Sequence, residues 1–482
     1  MENKSTTQHL ENDDLIWKPA RLVQMDEARE ITEVQNYGSI NNTAEAKTFF
    51  ETFLHSMTTS FTITFAAILV ALLIISVLYF DINTSERCFE HIHGNHSLPR
   101  NVMKWVLAGH VVEVLVLHFW FQLYLMLLFT WREFISLHKN ALWIALIQGC
   151  IVSVYKIILF TQYVDFTLDR YRYTGNVVFL MGVIYTGYTV SKKIHTCRFT
   201  NGYSNLRLFK MITTQYFLGC IIGLVYRYLT IPWFISEENE IIKAVIAVIV
   251  PLPVTTLNII NAKVALSSLK FVRPGRNFIF ISFTTGVSTL VFRIMQADVK
   301  SIIIFTALSV CRGVAQILLV VTEKLRDRVL NVVCRRFRRC CYHRQTLRQQ
   351  NEDKEDSSRL EDDNLIQLML YQYSALIVSQ AYQALYVLNN FYAKPWDVFV
   401  ESSIKVAIGS AVNLVTNSFS IFMYVYWNNS RLPTVWTQTW RLHVSTVAIN
   451  SVMTIFYFTC PLLTVFQGPQ QDLVVRNCTV PF

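Results

Sequence analysis

Three side chains between positions 110 and 118 have the chemistry to handle protons: His110, Glu113 and His118. At 100° per residue on a helix, Glu113 falls about 60° to one side of His110 and His118 about 80° to the other, so all three share one broad face. Histidine titrates near neutral pH, so a His/Glu pair one turn apart either passes a proton or forms a buried structural hydrogen bond. Lys156 follows in the run IVSVYKIILF, with Tyr155 beside it. Its depth in that run strains snorkelling, so it calls for an acidic partner, a depressed pKa or a hydrated cavity. In VIVPLPVTTLNIINAK, Pro251 and Pro253 precede Asn258, Asn261 and Lys263. The prolines remove backbone donors and free carbonyls, which makes this segment either an amide-lined cavity wall or a harmless kink. Arg312 with Gln316 and Glu401 with Lys405 stand at i, i+4, and the second of these can pair with itself. Asn413, Asn417, His443 and Asn450 complete the polar positions in apolar surroundings.

Those surroundings decide what positions these groups. Of 482 residues, 52% are apolar, 13% aromatic and only 16% charged, with a mean hydropathy of +0.34. A soluble chain needs about a quarter charged residues to cover its surface. The composition excludes a soluble enzyme, a disordered chain and a disulfide-framework domain. It predicts an all-α polytopic membrane protein, a helix bundle of eleven spans at 59–80, 103–130, 140–162, 175–192, 211–236, 241–266, 276–295, 299–321, 364–388, 397–427 and 442–466. Each is long enough for ~30 Å of hydrocarbon and far longer than a barrel strand of ~10 residues. A polar tail (1–58) precedes the bundle, a basic then acidic linker (322–363) divides spans 1–8 (59–321) from spans 9–11 (364–466), and a short tail (467–482) follows.

The net charge of +10 concentrates in 322–363, 191–210 and 267–276, which the positive-inside rule assigns to the cytoplasm along with the N-terminus. Eleven spans then place the C-terminal tail outside. The sequons at Asn83, Asn95 and Asn477 fall outside on this topology and read as glycosylation sites; with the outside tail they favour the plasma membrane. Cys88 and Cys478 fall outside too, so one disulfide between them is open. Cys334, Cys340 and Cys341 lie among arginines beyond span 8, a palmitoylation setting or plain reduced thiols. The run RRFRRCCYHR next to a membrane span favours anionic headgroups over nucleic acid. Phosphate-loop, nucleophile-elbow, HExxH and CxxC patterns are missing, so neither catalysis nor a metal or cofactor is expected.

The stretches QGCIVSVYKIILFTQYVDF, LRLFKMITTQYFLGCIIGLVYRYL, VIVPLPVTTLNIINAKVALSS and EDDNLIQLMLYQYSALIVSQ resemble, in order and spacing, the third, fifth, sixth and ninth spans of the otopetrin family of proton channels. The long linker after span 8 fits as well. Family members have twelve spans in two six-helix halves, so the resemblance implies that arrangement with the last helix missing. Leu159 and Thr255 or Thr256 stand where the family carries acids, and Tyr155 is the position that carries over directly. The resemblance further implies a homodimer and acid-gated proton flux; from the residues themselves, His110, Glu113 and Lys156 are expected to handle the protons, with Tyr155, Asn258 and Asn261 lining the path. Two other readings compete: a carrier of a small solute, and a non-conducting receptor or scaffold acting through 322–363.

Overall fold

The computed structural model describes residues 49–84, 99–162, 169–197, 204–258, 275–322, 347–428 and 430–466. These residues are 94% helical with no strands. The helices are α1 Phe49–Thr84, α2 Arg100–Phe129, α3 Trp131–Gln162, α4 Asp169–Cys197, α5 Asn205–Ser236, α6 Glu240–Asn258, α7 Ile279–Asp298, α8 Ile302–Val321, α9 Leu347–Asn390, α10 Pro395–Asn428 and α11 Leu432–Leu463. Among the described residues, nine are long and apolar enough to cross a membrane; α4 and α9 are the helices outside that set.

Local sequence sets several of the ends. Ser204, Asn239 and Ser301 each accept a hydrogen bond from a backbone N–H of the following turn, capping α5, α6 and α8. Within α5, residues Tyr226–Thr230 widen into a π turn, with the Ile231 N–H reaching back to the Tyr226 carbonyl. Pro232, just beyond, brings no N–H of its own, and widened turns of this kind re-satisfy such gaps. α3 is bent at His138, whose φ of −134° leaves the helical region.

Several helices run past the predicted spans into polar sequence. α1 starts at Phe49, α3 at Trp131 and α11 at Leu432, and α9 starts at Leu347, inside the predicted linker. Hydropathy marks the part of a helix that suits oil, whereas backbone hydrogen bonding continues beyond it. Asn83 lies in the last turn of α1, 3% exposed, with its amide donating to the Tyr79 carbonyl.

The core forms around α9 and α7. α9 packs against α1, α7, α10 and α11, and α7 against α9, α11, α5 and α6. From Leu360 to Phe391, α9 is buried or half-buried on every side, including Gln367, Gln372, Ser374, Ser379 and Gln380. A helix surrounded by protein does not have to be apolar, which is why its sequence carries so many amides and phenols. α1 presents Ser56, Ser60, Ile63, Ala67, Ala71 and Ile74 inward, a seam of mostly small residues that lets helices approach closely. Its other face exposes Phe61, Phe65, Leu69 and Leu72, and α3 exposes Ile147, Ile151, Val154 and Ile158. Apolar surface on this scale suits acyl chains and not water. The chain therefore reads as a multi-pass membrane protein.

Candidate functional site

Gly149 on α3 faces Leu115 and His118 on α2; an ideal Cβ there would meet the Leu115 Cδ2 at 3.0 Å. The small residue lets the two helices close on each other, and two turns further along α3 Lys156 comes opposite Glu113. The His110 Nδ1 lies 3.0 Å from the Glu113 Oε2, and the Lys156 Nζ 3.6 Å from the same oxygen. His110 is buried, whereas the Glu113 and Lys156 side chains keep 16% and 18% exposure. Lys156 thus has the acidic partner its depth demands. One carboxylate oxygen is shared by an imidazole ring and an amine.

The other predicted positions do not join this cluster. His118 turns back on its own helix, its Nδ1 2.8 Å from the Val114 carbonyl, and packs edge-on against Phe179. The Tyr155 hydroxyl lies 3.4 Å from the Thr174 hydroxyl on α4, on the exposed side of α3. Asn258 belongs to the α6–α7 contact, where its amide donates to Thr285 at 3.1 Å and accepts from the Thr284 hydroxyl. Asn261, Asn95, Asn477, Cys88, Cys478, Cys334, Cys340 and Cys341 lie outside the described residues. Cys150, Cys220 and Cys311 are free thiols. Glu401 and Lys405 do pair, at 2.9 Å, and the Lys405 ammonium also donates to the Ala297 and Val299 carbonyls at the end of α7. Among the described residues, His, Cys, Asp and Glu form no metal-binding group.

A second polar assembly escaped the sequence reading in part. Asp363 and His443, both buried, meet at 3.1 Å between α9 and α11. Gln367 continues the chain, its Nε2 2.7 Å from the His443 Nδ1, and the Ser282 hydroxyl donates to the Gln367 Oε1 at 3.0 Å. Ser282 lies 2.9 Å from the Tyr371 hydroxyl, and the Asn450 amide donates to both, at 3.2 and 3.1 Å. Phe278 stacks on His443 with ring centroids 4.4 Å apart. Gly286 makes room for the phenol, because a Cβ there would meet the Tyr371 ring at 2.6 Å. Beyond Tyr371 a cavity of about 10 Å³, lined by Ser374, Ser451, Thr454, Ile74 and Leu290, has room for roughly one water. Sequence reasoning singled out His443 and Asn450 but passed over Asp363, Gln367, Tyr371 and Ser282. The available signal was the i, i+4, i+8 spacing of Asp363, Gln367 and Tyr371, which places them on one helix face.

A third assembly lies between α7, α8 and α10. Arg293, 1% exposed, donates to the Gln296 Oε1 at 2.7 Å and the Asn413 Oδ1 at 2.8 Å. Gln296 donates on to the Phe305 carbonyl and the Ser309 hydroxyl, and Gln316 donates to the Asn417 Oδ1 at 3.0 Å. Arg227 in the π turn of α5 reaches the Tyr457 carbonyl at 3.4 Å.

Comparison with known proteins returns no matching family model, no matching curated protein and no matching solved structure.

Proposed function

We propose that this protein is a proton channel of the otopetrin type, set in the plasma membrane as a homodimer with eleven spans and a cytoplasmic N-terminus. The observation that supports it is the Glu113 carboxylate oxygen shared by His110 and Lys156 across two apolar helices. Ionisable groups are costly in hydrocarbon, and where they gather they mark ion and proton paths more often than packing. The experiment is a patch-clamp recording of cells expressing the chain while the outside solution is stepped to acid. Wild type is expected to carry an inward current, and the double variant His110→Ala, Glu113→Gln to carry none at equal surface expression. A current unchanged in the double variant ends the assignment.

A solute carrier is the second reading, favoured by the prolines at 251 and 253 of α6 and the π turn of α5, because interrupted spans line carrier sites. Saturable solute uptake without current under the same acid step selects it.

A further inference from the structure

We infer that the α7–α8–α10 contact binds a small monovalent anion of the halide class, held by Arg293 and the amide of Asn413. The three lysines Lys156, Lys243 and Lys405 meet Glu113, Asp298 and Glu401 respectively. Arg293 is treated differently. It is almost fully buried, and the groups its terminal nitrogens bond are two neutral carboxamides. Its Nε is buried and bonds no group among the described residues.

A second guanidinium aggravates the imbalance. Arg312, on α8, lies over the Phe292 ring at 5.6 Å, and Arg293 lies at 5.6 Å from the centroid of that same ring. Both guanidinium groups thus stand about one aromatic ring. The Arg312 Nε is likewise buried and unbonded among the described residues. The carboxylates nearest in sequence are already committed, Asp298 to Lys243 and Glu401 to Lys405. The groups reaching the site from α9 and α1, Tyr373 and Ser60 with Thr64, are neutral hydroxyls. A buried cation beside a half-buried one calls for an anion, since desolvation is offset only by opposite charge or by full hydrogen bonding.

The Asn413 amide agrees with the sign of the missing charge, whereas Gln316 leaves an acceptor, its Oε1, buried and unbonded among the described residues. Asn413 accepts from Arg293 through its Oδ1, and Asn417 accepts from Gln316 through its Oδ1. Both residues are at most 1% exposed, and Asn413 is left with its Nδ2 donors buried and unbonded among the described residues. Buried spare donors beside cations are the complement of an anion, and they offer nothing to a metal. The near-complete burial of Arg293 and Asn413 favours a small, weakly hydrated, singly charged ion. The site is distinct from the His110, Glu113 and Lys156 cluster and does not depend on the channel reading.

The test uses the full chain in lipid nanodiscs, melted in sodium chloride and in sodium gluconate at equal ionic strength. Chloride is expected to raise the melting temperature saturably over gluconate. Asn413→Asp supplies a carboxylate at the guanidinium without changing side-chain volume. It is expected to abolish the chloride increment while melting in gluconate at or above the wild-type temperature. Equal wild-type melting in the two salts overturns the proposal, as does a chloride increment that survives in Asn413→Asp, which marks a surface ion. Should the variant fail to fold, bromide-soaked wild-type crystals decide the matter. An anomalous peak beside Arg293 supports the site, and no peak there overturns it.

Discussion

Replacing Lys156 by Met leaves the half-buried Glu113 carboxylate without its ammonium, while Glu113→Gln leaves the ammonium without its anion. Each single change is expected to lower thermal stability more than the two together, with a coupling of about 0.5–3 kcal/mol in a double-mutant cycle. Additive losses would show that the 3.6 Å approach carries no energy. His443→Ala is expected to be harsher, because Asp363 is 1% exposed and loses a hydrogen-bonding partner; leaving a buried polar group unsatisfied costs about 1–3 kcal/mol, more for a charged one. Asp363→Asn keeps a hydrogen-bonding partner for the ring and should cost less. Melting curves in nanodiscs give the order directly. The residue scale also divides what could be read from the chain. His110 and Glu113 were legible because one helical turn fixes their relation; for Lys156 the sequence left an acidic partner, a depressed pKa or a hydrated cavity open, and the structure supplies the acid. Tyr155 was not: adjacent residues on a helix point about 100° apart, so its neighbour's partner could not be its own. Arg293 was passed over because it stands a few residues from the end of an apolar run, and its partner Asn413 lies 120 positions along the chain.

At the scale of elements, apolar length marked nine of the described helices as long and apolar enough to span, left α4 and α9 short of that standard, and misjudged several ends. The acidic segment before position 363 was read as a solvated linker, yet α9 is already helical there, and Asp362 and Asp363 are buried against Ser430 and His443. Hydropathy ranks a helix by its fitness for lipid. It understates one that other helices enclose, and α9 is that helix. The close crossings it makes rest on glycine. An ideal Cβ on Gly286 would meet Tyr371, and one on Gly409 would meet Leu376 at 2.8 Å. Gly286→Ala is expected to displace the phenol from Ser282 and Asn450 and to cost about 1–3 kcal/mol, the usual range for overpacking. A melting temperature equal to wild type would mean that the ring moves aside freely.

For the whole molecule, the distribution of Lys and Arg predicts sidedness without reference to packing. An epitope tag inserted after Glu238, in the turn between α5 and α6, is expected to stain intact cells, and one inserted within 323–346 to stain only permeabilised cells. The reverse pattern would invert the topology. The tertiary arrangement was far less legible, because contacts between distant helices leave no periodic trace in a single sequence. The pairing of α1 with α9 shows what this means for biogenesis. The ribosome releases the first helix into the bilayer some three hundred residues before its main neighbour emerges. Throughout that interval the Ser56–Ser60 seam has to be shielded by lipid, by the translocon or by a chaperone. A chain halted after α8 would leave that seam bare, so quality control has a ready mark by which to recognise unfinished copies.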